Sequence, residues 1–339
     1  MTVELPHSGK RGRDPPVHVL LDRFKLGEHL GKGAYGTVVR VKDTWCADGI
    51  DSDCAMKVFH PIDGHDDEVH DEVMQEANVL NYISKYPSVA HHFPCLRAHG
   101  RNFVVMDYLA YPTLKQSIKK TGARGMPIDR IQTLGLGMLH ALSALHNMGL
   151  IHRDIKPDNV MCTAKSAIII DFGLTVTVDP SSPSAKFVQS TWTDTPYAVT
   201  RPYRAPEIIL ELPQTTAVDV WAWGCCLMEM FAGCAILRGM DNWGQLECII
   251  NRFGTLPPSM TDRTTARVTT NVQRAETNAR CGNVFWLPQY IAALRPSDVS
   301  ITKEMRPLFV DMISHMLALD PALRWTAAQC IEHEFWTVA

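Results

Sequence analysis

The sequence predicts an α+β chain built as two lobes, a small and mostly β lobe followed by a larger, mainly helical one. Short strand-like runs dominate from Phe24 to about residue 105, namely FKLGEHL, GTVVRVK, CAMKVF and NFVVM, and their β-branched and aromatic content suits strands. One helical stretch, DDEVHDEVMQEANVLNYI, interrupts them. Beyond LAYPTL at 109–114 the pattern changes to long helical periods in IDRIQTLGLGMLHALSALHNMG, TAVDVWAWGCCLMEMFAG and MRPLFVDMISHMLALD. A chain of 339 residues with 46% hydrophobic content suits one bilobed unit.

Residues 1–23 are rich in Pro, Gly and charge and read as a flexible tail, with Lys10, Arg11 and Arg13 as a solvated cluster within it. The folded domain is expected over 24–336, with the small lobe at about 24–106, a hinge at about 107–112 and the helical lobe at about 113–336. The stretch 258–285 is polar and lacks a clear period, so it reads as an insert or long loop.

Composition narrows the function classes. Lys plus Arg total 33 against 36 Asp plus Glu, a formal charge of -3, and without a global basic field neither nucleic acid nor an anionic membrane is an expected partner. The ten cysteines lie in apolar runs without CxxC spacing, which reads as reduced, buried thiols rather than a zinc or redox pair. The first 21 residues lack the apolar stretch of a signal peptide, and nowhere do 18 uninterrupted apolar residues occur. An intracellular, soluble protein is expected.

LGKGAYGTVV at 30–39 places glycines at 31, 33 and 36 between strand-like runs, where backbone N–H groups can approach phosphate oxygens with no Cβ in the way. By itself a GxGxxG is a weak signal, and no helix follows it as a dinucleotide-binding fold requires. About twenty residues on, CAMKVF puts Ala55, Lys57 and Phe59 on one face of a strand. A lysine so flanked is half-buried, and either snorkels at a strand edge or needs a carboxylate partner. Glu68, Glu72 and Glu76 form one row of the helical stretch beside the apolar stripe Val69, Val73, Ala77 and Leu80. Glu76 is the preferred partner and Glu72 the alternative.

IHRDIKPDNVM at 151–161 follows a helical stretch that ends at Met148-Gly149, a natural stop. Its residues suit phosphoryl transfer: Asp154 to accept a hydroxyl proton, Lys156 to neutralise the transferring group, Asn159 to hold a divalent ion. In AIIIDFGL an apolar strand ends in Asp171. A carboxylate there needs a counter-charge, which Mg²⁺ on ATP phosphates supplies.

With these pieces in order, GKGAYGTV, AMK, HRDIKPDN, DFG and then APE at 205–207, the chain resembles the eukaryotic protein kinase family over nearly all of 24–336. The resemblance implies a protein kinase fold and transfer of the γ-phosphate of ATP, with Mg²⁺, to protein substrates. Lys156, two after Asp154, resembles the serine/threonine type. It further implies nucleotide contacts from Leu30, Gly31, Lys32, Gly33, Ala34, Tyr35, Gly36, Thr37, Val38, Ala55, Lys57, Met106, Asp107 and Leu109, with Met106 as gatekeeper. Asn159 and Asp171 are the implied metal ligands, and Lys57 and Glu76 join Asp154, Lys156 and Asn159 as catalytic residues. Glu207 is implied to pair with Arg324, and Asp219 to brace the catalytic loop.

TPYAVTRPYRAPEIIL and GQLECIINRFGTLPPSM resemble the CMGC group of mitogen-activated and cyclin-dependent kinases, with TPY most like the mitogen-activated branch. Pro202 stands where that group carries an aromatic residue, and a PSTAIRE-type helix is absent. The resemblance implies a preference for Ser or Thr followed by Pro. Activation is expected by an upstream kinase at Thr195 and Tyr197, with Arg153, Arg201 and Arg204 to receive the phosphates. The location implied is cytoplasmic, nuclear or both. Retention of Lys57, Asp154, Asn159 and Asp171 argues against a pseudokinase scaffold, and the APE-type segment against a small-molecule phosphotransferase.

Overall fold

A computed structural model describes residues 23–33, 36–46, 52–60, 71–100, 102–178, 200–280, 287–294 and 301–338. The tail cluster Lys10, Arg11 and Arg13 lies outside these residues. The chain divides into two compact units, one of 1–77 with 96–108 and the other of 78–95 with 109–339.

The first unit is a five-stranded antiparallel sheet in the order β1-β2-β3-β5-β4. Its strands are β1 (Phe24–Lys32), β2 (Gly36–Asp43), β3 (Asp53–Phe59), β4 (Leu96–His99) and β5 (Phe103–Asp107). One face buries Phe24, Val39, Val41, Cys54, Met56, Phe103 and Val105 as a single cluster. The alternation of each strand therefore leaves Val38, Arg40, Ala55 and Lys57 for the other face.

Gly36 opens β2 because nothing larger fits there: a Cβ would stand 2.2 Å from the carbonyl oxygen of Val58. Among the described residues, the nearest atom to such a Cβ at Gly33 is 3.9 Å away, and at Gly31 there is none within 4 Å. Of the three glycines, close packing thus requires the last, Gly36. Gly36→Ala is expected to lower stability by about 1–3 kcal/mol through overpacking, and Gly33→Ala to leave it unchanged. Thermal unfolding of the two variants measures this, and equal melting temperatures would sink the packing role of Gly36.

The second unit is mainly helical. Its described helices are α2 (Leu114–Thr121), α3 (Ile128–Asn147), α4 (Pro206–Ile209), α5 (Ala217–Ala232), α6 (Asn242–Phe253), α7 (Pro258–Thr261), α8 (Ala266–Arg280), α9 (Leu287–Leu294), α10 (Met305–Met316) and α11 (Ala327–Ile331), after α1 (Asp71–Ile83), whose residues from Asn78 onward group with this unit. Every residue of α5 from Ala217 to Phe231 is buried, as an all-round apolar helix requires. Gly233 ends it in the left-handed conformation at φ 77°, the usual glycine stop. A row of rings, Phe231, Phe309 and Phe335 at 4.9 and 5.2 Å, ties α5 and α10 to the C-terminal turn at Glu334–Trp336. Two short strand pairs complete the unit: β6 (Leu150–Ile151) with β9 (Val176–Thr177), and β7 (Val160–Cys162) with β8 (Ala167–Ile169).

Four sequence expectations need correction. The stretch from 258 is not a loop: α7 and α8 occupy it up to Arg280, and 281–285 lies outside the described residues. Val268, Val272, Ala275 and Ala279 are the buried stripe of α8, and their helical spacing was hidden by Thr, Arg and Asn on the other face. Strand β4, whose LRAH has only two apolar residues, was not read at all. Residues 78–95 belong with the helical unit rather than with a small lobe of 24–106, because Tyr82 donates to the carbonyl of Met148 at 3.4 Å and Phe93 packs on Phe172 at 5.9 Å. Among the described cysteines Cys54, Cys162, Cys225, Cys226 and Cys330 are buried, whereas Cys46, Cys95 and Cys248 are partly accessible and Cys234 is exposed.

Candidate active site

On the sheet, Lys57 sits opposite Val38 of β2 and Val104 of β5, and Ala55 opposite Arg40 and Met106. Directly opposed residues share a face, so Val38, Ala55, Lys57 and Met106 form one surface. Lys32 and Thr37 pair with each other, and Thr37 with Val58, which puts those two side chains on the opposite side from Val38. Leu30 is exposed, Leu109 belongs to the second unit, and Ala34 and Tyr35 lie outside the described residues. Lys57 is only 8% exposed, more buried than a half-buried strand lysine. Its Nζ donates to Glu76 Oε2 at 2.7 Å and lies 4.9 Å from the Phe59 ring centre. Glu76, 1% exposed, is thus the carboxylate in contact; Glu68 and the side chain of Glu72 fall outside the described residues. Either group buried without the other would be costly.

In the helical unit the turn after β6 builds the second cluster. Asp154 Oδ2 accepts from Lys156 Nζ at 2.5 Å and from Asn159 Nδ2 at 3.0 Å. Its Oδ1 accepts from the Thr200 hydroxyl at 2.8 Å and from the Thr200 backbone N–H at 3.2 Å. Lys156 Nζ also donates to Thr200 Oγ1 at 3.1 Å. Sequence reasoning missed Thr200, whose only signal is a lone Thr ahead of Arg201-Pro202.

Arg153 has φ 70°, a conformation unfavourable for a side chain with a Cβ. Asp219, in the first turn of α5, holds it there: Oδ1 accepts from the N–H of Arg153 and Oδ2 from that of His152, both at 2.8 Å. His146 Nε2, in the last turn of α3, lies 3.0 Å from Asp219 Oδ2. Burial pushes the His152 imidazole below its usual pKa. In the neutral ring Nε2–H donates to the Ile170 carbonyl at 3.3 Å, and Nδ1 accepts from the Asp154 N–H at 3.2 Å.

A hairpin then brings Asn159 and Asp171 to one end. Val160 of β7 pairs with Ile169 of β8, and the Ile170 N–H donates to the Asn159 carbonyl at 3.0 Å. The strand ends at Ile169, two residues before Asp171, which has φ 67°. A domain model described as protein kinase domain matches residues 24–336. The chain belongs to the protein kinase family.

Relatives of the kinase carry mitogen-activated and dual-specificity names. It is 34% identical to Stress-activated protein kinase JNK of Drosophila melanogaster over 212 residues, 62% of this chain and 54% of that protein. Mitogen-activated protein kinase KSS1 of Saccharomyces cerevisiae is 28% identical over 327 residues, 92% and 82% of the two chains. Dual specificity tyrosine-phosphorylation-regulated kinase 3 of Homo sapiens is 26% identical over 355 aligned positions, 94% and 55%. The chain therefore spans about half the length of the first and last of these. These relatives belong to the CMGC group, and the kinase carries a domain of the serine/threonine type.

The segment after the hairpin is anchored deep in the kinase. Arg324 donates to both oxygens of Glu207, NH1 to Oε1 at 2.6 Å and NH2 to Oε2 at 3.0 Å, with both side chains fully buried. Tyr203 donates to Glu229 Oε2 at 2.6 Å, and burial first of all raises its pKa. Of the three arginines expected to receive phosphates, Arg201 is exposed. Arg153 and Arg204 are buried, and Arg204 donates to Asn242 Oδ1, so neither guanidinium faces solvent as expected. Thr195 and Tyr197 lie outside the described residues.

Membership of this family implies ATP as phosphoryl donor, typically with Mg²⁺. The residues fit the ion. Both hydrogen bonds of the Asn159 amide nitrogen go to Asp154, to its carbonyl and to Oδ2 at 3.0 Å each, which fixes the amide and leaves its oxygen as a donor to metal. That oxygen and the Asp171 carboxylate are hard ligands of the kind Mg²⁺ takes beside phosphate oxygens.

Proposed function

We propose that the chain transfers the γ-phosphate of ATP to serine and threonine hydroxyls of other proteins inside the cell, in the cytoplasm, the nucleus or both. The observation that carries this is the Asp154 carboxylate, ringed by Lys156, Asn159 and Thr200. An attacking hydroxyl needs an acceptor for its proton, and Asp154 supplies one. Lys156 sets a positive charge beside that acceptor for the transferring group, and Thr200 fixes the carboxylate plane. Lys57, held by Glu76, grips phosphate oxygens, and the glycines at 31, 33 and 36 let the backbone approach them with no Cβ in the way, while the Gly33 N–H itself donates to the Gly36 carbonyl at 2.8 Å. Asn159 and Asp171 would hold Mg²⁺, which neutralises phosphate charge. Among the described residues no helix is long and apolar enough to cross a membrane.

Preference for Ser or Thr before Pro, and activation by an upstream kinase at Thr195 and Tyr197, complete the proposal. The TPY triplet and the stress-activated and mitogen-activated relatives support them. Exposed Arg201 is the first guanidinium available to a new phosphate, while Arg153 and Arg204 require rearrangement to reach one. The full chain should label a generic basic protein from γ-labelled ATP and leave sugars and aminoglycosides unlabelled. Thr195→Ala and Tyr197→Phe should each lower the activity gained on phosphorylation, and Ser-Pro peptides should outcompete Ser-Ala peptides. Labelling confined to the small molecules overturns the protein-kinase reading; full activity in both variants overturns the switch alone.

A further inference from the structure

Arg40 lies outside every motif discussed so far, yet it stands on the sheet face that carries Val38, Ala55 and Lys57. It is directly opposite Ala55, which in turn is opposite Met106. Its guanidinium lies over the ring of Tyr108, 4.5 Å from the ring centre. Two carboxylates hold it there: NH2 donates to Asp53 Oδ2 at 2.5 Å and NH1 to Glu28 Oε1 at 3.2 Å. The residue before Tyr108 is gripped as well. Asp107, the last residue of β5, pairs with Cys54 on the other face of the sheet, and its carboxylate accepts from Arg97 Nε at 2.6 Å. Successive strand side chains point to opposite faces, so Arg40 and Arg97 clamp two consecutive residues from the two sides, where the chain leaves the sheet.

We propose that Arg40, with Arg97 as its counterpart, is a positioning residue for nucleotide binding that holds the backbone at Asp107 and Tyr108 in its binding conformation. This rests on the reading of Met106, Asp107 and Leu109 as nucleotide contacts. A strand exit held from one side only samples more conformations, and affinity falls by the fraction that remains competent. Both Arg40 and Arg97 act at a distance from the phosphates, so their loss alters nucleotide affinity and not the chemical step.

The test is titration of the full chain with a fluorescent ATP analogue, beside steady-state kinetics. Arg40→Ala should raise the dissociation constant and the KM for ATP about two- to five-fold, the scale of an exposed cation–π contact, with kcat retained. Arg97→Ala should act in the same direction by about two-fold, as a surface ion pair does. Tyr108→Leu should match Arg40→Ala, Tyr108→Phe should keep wild-type affinity because the ring remains, and Arg40→Ala with Tyr108→Leu should be no weaker than either alone. Additive effects of those two substitutions mean that Arg40 meets the nucleotide directly, and they overturn the clamp. Wild-type affinity in Arg40→Ala also overturns it while leaving the proposed function standing. A wild-type chain that binds no nucleotide at all overturns both.

Discussion

Asp154→Asn is expected to leave the chain folded and able to bind nucleotide while phosphoryl transfer falls by about 10²–10⁴-fold, the worth of a general base. The surroundings of the carboxylate explain why the fold survives. Lys156 and Asn159 both donate to Oδ2, so the amide oxygen of the variant takes that side. The new NH₂ then faces Thr200 Oγ1, which lies 2.8 Å from Oδ1 and accepts a hydrogen bond as readily as it donates one; the 3.2 Å bond from the Thr200 N–H is lost, a cost of about 1 kcal/mol that the fold can bear. What the substitution removes is charge and basicity at the point where a substrate hydroxyl must lose its proton. Melting temperature, nucleotide titration and kcat should be measured on the same preparation. A kcat near that of the wild type would remove Asp154 from the mechanism.

Arg324→Ala should destabilise the helical unit by about 3–5 kcal/mol, the cost of stranding one member of a buried ion pair. Glu207 is fully buried, and both its oxygens accept from Arg324. The guanidinium also donates to the carbonyls of Ala217, Ala318 and Leu319 at 2.8, 3.0 and 3.2 Å, and its carbon lies 5.0 Å from the Trp221 ring centre. One side chain therefore ties the start of α5, the residues after α10 and the APE turn together. Against a total stability of about 5–15 kcal/mol the loss is large, and a fall in melting temperature on the order of 10 °C is expected. Arg324→Met with Glu207→Gln should recover part of it, since no buried charge is then left unpaired. Loss confined to activity, with an unchanged melting temperature in Arg324→Ala, would assign the pair a role other than holding the unit together.

How much of this was legible in the sequence depended on whether the interacting residues are contiguous. His152 to Asn159 lie within one turn, so residue types alone told their chemistry, and the DFG run likewise. Lys57 and Glu76 are 19 residues apart, yet periodicity narrowed the acid to one row of the helix and favoured Glu76 within it, with Glu72 as the alternative, and Glu76 is the one in contact. Thr200 was invisible because it reaches Asp154 across 46 residues through a segment with no period of its own. The buried state of Arg204 was equally hidden, since an arginine beside an expected phosphate site reads as a solvent-facing group until Asn242 is found against it. Helix α8 escaped because its apolar stripe is carried by two valines and two alanines among Thr, Arg and Asn.

By itself the sequence determined the α+β class, the order of strands before helices and the contiguous catalytic run, because each depends on local period or on neighbours a few residues apart. Only the tertiary structure decided that Asp219 holds Arg153 in a left-handed turn. It alone grouped residues 78–95 with the helical unit and set Arg40 over Tyr108. All of these depend on chain segments far apart in sequence, where burial and hydrogen-bond geometry, rather than spacing, select the partner.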